Sequence, residues 1–404
     1  MTHGMVIVGG GMAGARAIIG LRAAGWEGKV TLVSEEALMP YDRPPLSKAA
    51  ITADEEPAPV MLLDESMATS LKAEMRLGKQ VTAIDCASRT IHMGDERLGY
   101  DKLLIATGAK PRQLNCPGAE HAIMLRDFSD AIHLRAKFQP SAMIAIIGGG
   151  FIGLELASSA SKRGCDVTLI EALPRILMRG VPEEIAAIVH ARHVAAGVKM
   201  ITGTGIASLS PHAVNLADGR TIPADTIIAG IGAVPETKLA AAAGLALDNG
   251  IACDTNLRTS DEHIFAAGDC CSFPHPLFAN KRMRLEAWRN ATDQANVATA
   301  NMLGGDKLYS AVPWFWSDQY ELSLQIAGVP GNGVEMVRRQ LADQAFIILH
   351  RDAVGRLVGA SGIGPGNSIA RDTKLAEMLI AKSASPAAEA LADATIGLKA
   401  LLKA

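Results

Sequence analysis

Much is narrowed by what this chain lacks. No two of its six cysteines (Cys86, Cys116, Cys165, Cys253, Cys270 and Cys271) stand in a C-x-x-C or C-x-x-x-x-C spacing. A disulfide framework, a zinc site and an active-site dithiol are therefore not expected. No apolar run approaches the ~18 residues of a membrane span. No sign of charge dominates: the net charge is −3 and the pI about 6.4, which argues against bulk binding to nucleic acid or to an anionic membrane. The histidines show no ligand spacing. With 49% hydrophobic and 20% charged residues, disorder is excluded. The apolar run Met5-Val6-Ile7-Val8 begins so early that no signal peptide is expected, and the expected location is cytoplasmic. At 404 residues the chain exceeds one ordinary core and calls for about two to three domains.

Glycine is the informative excess, because it clusters at strand ends. The first apolar run is followed by Gly9-Gly10-Gly11-Met12-Ala13-Gly14, then a helical stretch over 13–24 ended by Gly25. A second buried strand over 29–33 closes on Ser34-Glu35. Strand, Gly-x-Gly-x-x-Gly, helix, strand and acid together form a dinucleotide-binding unit. The first glycine allows the tight turn, the second lets backbone approach a pyrophosphate, and the third lets helix pack on strand. The helix start offers free N–H groups to phosphate. The acid can accept hydrogen bonds from both hydroxyls of an adenosine ribose.

The unit recurs 139 residues on: a strand over 143–147, Gly148-Gly149-Gly150-Phe151-Ile152-Gly153, a helix over 152–163, Gly164, then a strand over 166–170 leading to Glu171. In both copies the closing glycine lies 11 residues after the third glycine of the motif. One glycine motif is weak evidence, but two in full context imply two dinucleotides. In flavoproteins the first such site usually holds FAD and the second NAD(P)H. The run Leu103-Leu104-Ile105-Ala106-Thr107-Gly108 and the run over 226–232, ending at Gly232, read as matching strand-to-glycine turns; Ile264 to Asp269 is another. The expected division is residues 1–112 and 235–310 as an FAD-binding domain, 113–234 as an NADH-binding domain, and 311–404 as a C-terminal domain. That last region has strand-like runs at 323–327, 335–339, 346–350 and 357–361, and helical stretches around 368–381 and 386–403.

Four segments carry a resemblance. They are Tyr41-Asp42-Arg43-Pro44-Pro45-Leu46-Ser47-Lys48, Gly153-Leu154-Glu155, Ala267-Gly268-Asp269, and Pro313-Trp314-Phe315-Trp316-Ser317-Asp318-Gln319. Together they resemble the FAD-dependent NADH:ferredoxin reductases of Rieske-type dioxygenase and bacterial P450 systems, over essentially the whole chain. The resemblance implies an α/β fold of the glutathione-reductase type: two nested Rossmann-like dinucleotide-binding domains plus an α+β C-terminal domain. Its partner would be a small [2Fe–2S] ferredoxin. Around FAD it implies Gly9, Gly11, Ala13 and Gly14 at the pyrophosphate turn, Glu35 on the ribose and the Val81 backbone at the adenine. It further implies Arg43, Lys48 and Arg126, the Thr107-Gly108 turn, Asp269 on the ribityl chain and Trp288 at the flavin's far edge. For NADH it implies Gly148, Gly150, Ile152 and Gly153, with Glu155, Glu171 and the turn at Gly232. Arg289 departs from the small or neutral residue common in the family.

Simpler readings stand beside these. Glu155 fits a helix start, where an acid suits the dipole; the functional reading pairs it with Lys48 beside the flavin and nicotinamide rings. Lys48 alone reads as a surface lysine, Asp269 as a cap, and Trp314 as core. Arg282, Arg284 and Arg289 form either a solvated face or, with Trp316, a rim for an acidic ferredoxin. A disulfide or peroxide reductase needs a redox cysteine, usually in a C-x-x-x-x-C after the first glycine motif or singly near position 42, and the first cysteine here is Cys86. A rubredoxin reductase and an NADH-responsive interaction protein of the apoptosis-inducing-factor type remain rivals.

Overall fold

The β-branched runs pair into parallel sheets, as strands buried on both faces do. The computed structural model describes residues 3–403, and the chain divides into two units. The first holds the residues through Asp42 together with Pro59–Lys110 and Val234–Ala311; the second holds Arg43–Ala58, Pro111–Ala233 and the chain from Val312 onward.

The first unit is built on five parallel strands in the order Ile264–Ala266, Lys102–Ile105, Met5–Val8, Val30–Val33, Ala73–Arg76. The glycine motif leads from Met5–Val8 into the helix Met12–Ala23. That helix crosses a later one, Trp288–Met302. A Cβ on Gly20 would lie 2.8 Å from Thr299 Oγ1, so glycine is what lets the two helices approach this closely.

The second unit repeats the pattern. Its parallel strands run Lys199–Thr202, Asp166–Glu171, Met143–Ile147, Thr226–Ala229, Ala122–Ile123, with the helix Phe151–Lys162 after the second glycine motif. It also carries an antiparallel sheet in the order Trp314–Gln319, Leu322–Gly328, Leu357–Pro365, Ala345–Arg351, Glu335–Ala342, covered by the helix Ala370–Ala381. The α/β class with an α+β C-terminal portion is as expected. Among the described residues no helix is long and apolar enough to cross a membrane.

Two local expectations need correction. The segment Trp314–Gln319, read only as a motif, is a strand. The stretch 386–403 is not one helix but two short ones, Ala388–Ala392 and Leu398–Leu401. Asp393 breaks it by accepting from the Thr395 N–H (2.8 Å) and hydroxyl (2.7 Å). The buried Arg339 guanidinium then holds the carbonyls of Leu391, Asp393 and Ile396. These local bonds compete with helix continuation.

The C-terminal sheet buries His350, whose Nε2 lies 3.1 Å from Ser361 Oγ. Burial pushes its pKa down to about 4. Unfolded histidine takes its proton near 6.5, so the unfolded state gains the proton first. Stability is lost as pH falls from 6.5 toward 4, by about 2 kcal/mol for this residue at pH 5. We expect His350→Gln to recover about that much of the loss in unfolding free energy between pH 7 and pH 5. An unchanged slope in urea titrations would show that His350 is not the group responsible.

Candidate functional site

In the first glycine turn the fold itself demands two of the three glycines. Gly9 has φ +122°, and a Cβ there would lie 2.2 Å from the Ala106 carbonyl oxygen. On Gly14 it would lie 2.0 Å from the Gly9 carbonyl oxygen. Gly11 is different. Its backbone is extended (φ −89°, ψ −165°), a conformation open to any residue, and a Cβ would meet nothing within 4 Å. No side chain caps the helix that Gly11 starts and no acid sits in its first turn, so its leading N–H groups face that open space.

Other elements of this unit converge there. Gly268 (φ +82°) brings its strand end within 3.5 Å of the Ala13 Cβ and 3.7 Å of the Ala291 Cβ, measured from where its own Cβ would be. Gln294 fixes that turn by accepting the Gly268 N–H at 2.8 Å. Asp269 follows, half-buried, its carbonyl accepting from Arg284 at 3.2 Å. Trp288 begins the adjacent helix, and its indole N–H donates to Asp42 Oδ1 at 2.7 Å. Glu35 is exposed at the end of its strand and accepts from Gln80 at 3.2 Å. Val81 lies next in the chain, half-buried. The Thr107 hydroxyl donates to the Glu236 carbonyl at 2.8 Å, and Gly108 turns with φ +70°.

The second turn repeats these contacts. A Cβ on Gly148 (φ +111°) would lie 2.4 Å from the Gly230 carbonyl oxygen, and on Gly153 2.0 Å from that of Gly148. Gly150 is again extended (φ −82°, ψ −178°) with nothing within 4 Å. Ile152, two residues into the helix, is exposed. Glu171 accepts the Gly149 N–H at 2.6 Å and the Leu173 N–H at 2.8 Å, one on each oxygen. Arg175, which by spacing could have reached that acid, instead donates to the carbonyls of Ile176 and Val181, both at 3.1 Å. Gly232 turns with φ +102°.

A buried ion pair lies in the same unit. Glu155 is in the second turn of its helix and only 6% exposed. Its Oε2 accepts from the Ser47 hydroxyl at 2.5 Å and its Oε1 from the Ser317 hydroxyl at 2.6 Å. Lys48 Nζ stands 3.3 Å from Oε1 and 3.0 Å from Asp318 Oδ2. Burial pushes the Glu155 carboxyl up from its ordinary value, while Lys48 and the two serines pull it back toward ionisation. The reading of Glu155 as a helix-start residue alone is therefore incomplete. Lys48 also sits 5.7 Å from the Trp316 ring centroid, and Trp316 stacks on Trp314 at 5.5 Å. Arg43 donates to the Arg126 carbonyl at 2.6 Å.

A family model described as pyridine nucleotide-disulphide oxidoreductase matches residues 3–295, and one described as reductase C-terminal matches 314–402. The chain belongs to the pyridine nucleotide-disulphide oxidoreductase family. Over 98% of its length, and 98% of the relative's, it is 38% identical to the anthranilate 1,2-dioxygenase system ferredoxin–NAD(+) reductase component of Burkholderia cepacia. It is 40% identical to rubredoxin–NAD(+) reductase of Pseudomonas putida over 80% of this chain and 86% of that one. Among solved structures, the covalent putidaredoxin reductase–putidaredoxin complex matches with a TM-score of 0.92 and 33% identity, covering 99% of this chain and 98% of that one.

Cys270 and Cys271, adjacent after Asp269, are not set up as reactive thiols. Burial raises Cys270 to about 11 and pushes Cys271 well above its ordinary value, and neither has exposed surface. The three arginines of the proposed rim are each faced by an acid: Arg282 by Asp248 at 3.2 Å, Arg284 by Glu286 at 2.6 Å, Arg289 by Asp293 at 3.7 Å. Arg282 and Arg284 also brace backbone carbonyls. Sequence reasoning missed Ser47, Ser317 and Asp318 as partners of the Lys48–Glu155 pair. The signal was there: Ser47 precedes Lys48, and Ser317-Asp318 follow Trp316, inside the two segments that carried the resemblance.

Proposed function

We propose that the protein is an FAD-dependent NADH:ferredoxin oxidoreductase, taking electrons from NADH and passing them singly to a small [2Fe–2S] ferredoxin that serves an oxygenase. The single observation that carries this reading is the pair of positions, Gly11 and Gly150, that are glycine without the fold requiring it. Each sits at the uncapped start of a helix, where a pyrophosphate would otherwise meet a side chain. Two such cradles, in a chain with no cysteine pair spaced as a redox dithiol, fit a reductase whose electrons leave for an external acceptor. The full-length likeness to a ferredoxin–NAD(+) reductase component supports the choice of acceptor.

FAD is assigned to residues 1–112 and 235–310, held by Gly9, Gly11, Ala13, Gly14, Glu35, Arg43, Lys48, Val81, Thr107, Gly108, Asp269 and Trp288, together with Arg126. NADH is assigned to 113–234, held by Gly148, Gly150, Ile152, Gly153, Glu155, Glu171 and Gly232. Residues 311–404 form the C-terminal domain. When bound, FAD supplies the hydride acceptor and the switch from a two-electron donor to one-electron acceptors. The chain's own part is position and charge: Lys48 presents a cation, and Glu155 and Asp318 keep that cation in place. Docking is assigned to Trp316 with Arg282, Arg284 and Arg289. The facing carboxylates leave those arginines little net charge, so most of the docking falls to Trp316. A cytoplasmic location fits six unpaired cysteines.

Coenzyme choice follows from Glu171. Its two oxygens keep lone pairs for a ribose diol, and its charge repels a 2′-phosphate. Arg175 is held by backbone carbonyls and not paired with Glu171, so the carboxylate is not neutralised by a direct ion pair. We expect kcat/KM to favour NADH over NADPH by at least about tenfold, or about 1.4 kcal/mol, and Glu171→Ala to narrow the gap. Equal efficiencies in the wild-type protein would remove Glu171 from the site.

The reading as a whole is tested by NADH-driven turnover with a [2Fe–2S] ferredoxin against turnover with a rubredoxin. A higher kcat/KM for the ferredoxin is expected. Preference for rubredoxin would leave the cofactor assignment standing and replace the partner.

A further inference from the structure

The buried ion pair does not end at Ser317. The Ser317 hydroxyl, having given its hydrogen to Glu155, accepts from Gln319 Nε2 at 2.9 Å. That fixes the Gln319 amide, because its other atom, Oε1, must then face His193, whose Nε2 lies 3.0 Å away. An amide oxygen there requires the hydrogen of His193 to be on Nε2. Ser317, Gln319 and His193 have no exposed surface. The result is a run of three donors in series, His193 Nε2–H to Gln319, Gln319 N–H to Ser317, Ser317 O–H to Glu155, all pointing the same way.

We infer that His193 and Gln319 are positioning residues of the catalytic ion pair: they orient Ser317 so that it can only donate, and thereby hold Glu155 as a carboxylate facing Lys48. The inference rests on the functional reading of that pair. Its physical basis is that aligned donors polarise one another, and that a buried carboxylate is favoured by each donor aimed at it. Without the chain, Ser317 could rotate and Glu155 could take a proton, which its burial already favours.

The surroundings keep His193 in the required state. Its Nδ1 is buried without a hydrogen-bond partner, so a proton there would have nothing to bond. The groups facing it add no anion in contact. Arg192 and His190 lie on its own helix and both disfavour a charged ring. From the turn after Trp314–Gln319, Tyr320 packs edge-on at 5.0 Å. Glu321 is committed to Arg192 at 2.7 Å, and Lys162 sits over the Tyr320 ring. Burial pushes His193 down to about 4, so it stays a neutral donor over the working pH range. Around Glu155 itself the charged groups are Lys48 and, through Lys48, Asp318.

Tyr320 shows how firmly the arrangement is held. It adopts φ +60°, an uncommon conformation for a non-glycine residue. Arg192 stacks on its ring at 4.0 Å and pairs with the neighbouring Glu321. This outer clamp and the inner donor chain use adjacent residues of one helix, so they can be separated by mutation.

The test is to follow the side-chain carboxyl carbon of Glu155 by NMR in 13C-labelled, FAD-loaded protein, and in parallel the pH dependence of flavin reduction by NADH. In His193→Phe, which keeps the ring but loses the donor, and in Gln319→Met, the Glu155 titration should move up by about one pH unit. The acid limb of the reduction rate should move up with it, while KM for NADH changes less than about twofold. His193→Gln places an N–H donor near the lost one and should restore both. Arg192→Gln, which breaks only the outer clamp, should leave the titration where it is. If Glu155 titrates as in the wild type in both His193→Phe and Gln319→Met, the inference is overturned. If the carboxyl titration moves but the rate profile does not, the chain stands and the catalytic role given to the Lys48–Glu155 pair fails.

Discussion

Replacing Glu155 with glutamine should slow reduction of the bound flavin by NADH by about 10- to 100-fold, about 1.4–2.8 kcal/mol, with FAD still bound. The size of the effect follows from the contacts. Ser47 and Ser317 both donate to the carboxylate, and Lys48 stands 3.3 Å away. Glutamine offers one oxygen to these three donors, and its NH2 must face at least one of them. Breaking a fully buried pair from one side typically costs about 3–5 kcal/mol. Lys48 keeps a quarter of its side-chain surface and retains Asp318, so the lower range applies. Stopped-flow reduction, with FAD content measured on the same sample, separates the two effects. Reduction at the wild-type rate would return Glu155 to the role of a helix residue with well-satisfied hydrogen bonds.

The second large effect separates the two nucleotides. Gly11→Val and Gly150→Val place the same side chain at equivalent points of the two turns. Neither backbone resists it, and neither Cβ meets a neighbour within 4 Å. Both variants should therefore fold, by circular dichroism, as the wild type does. Gly11→Val should lose FAD affinity by at least about 100-fold, or about 2.7 kcal/mol, and purify colourless. Gly150→Val should remain yellow, while its KM for NADH rises by a similar factor. Wild-type FAD binding in Gly11→Val together with loss of FAD in Gly150→Val would exchange the two sites. Substitution at Gly9 or Gly14 would say less, because a Cβ there collides with backbone and the fold would fail first.

Those turns were legible in the sequence because everything they need is local. Each motif carries its own strand, helix and closing acid, and the observed helices begin within one residue of the expected ones. The antiparallel strands of the C-terminal region were legible from their β-branched runs, though not the strand Trp314–Gln319, whose aromatic and polar residues read as a motif. What stayed hidden depends on distance along the chain. Residues 43–58 lie between strands of the first unit yet pack with the second. Ser47 and Ser317 reach Glu155 from 108 and 162 residues away, and His193 reaches Gln319 across 126. Arg282 finds Asp248 through the fold, and so appeared in the sequence as one of a basic cluster rather than half of a pair. No periodicity or spacing encodes such meetings; only the packed chain produces them.

The central claim is that this chain moves electrons from NADH through FAD to a ferredoxin. Anaerobic rapid mixing tests it most directly: wild-type protein is reduced with one equivalent of NADH and then mixed with an oxidised [2Fe–2S] ferredoxin, and flavin and iron–sulfur absorbance are followed together. The flavin should bleach at a rate no slower than steady-state turnover and recover its colour as two ferredoxins are reduced. A flavin that bleaches only slowly, holds its charge-transfer colour and passes nothing to the ferredoxin would contradict it.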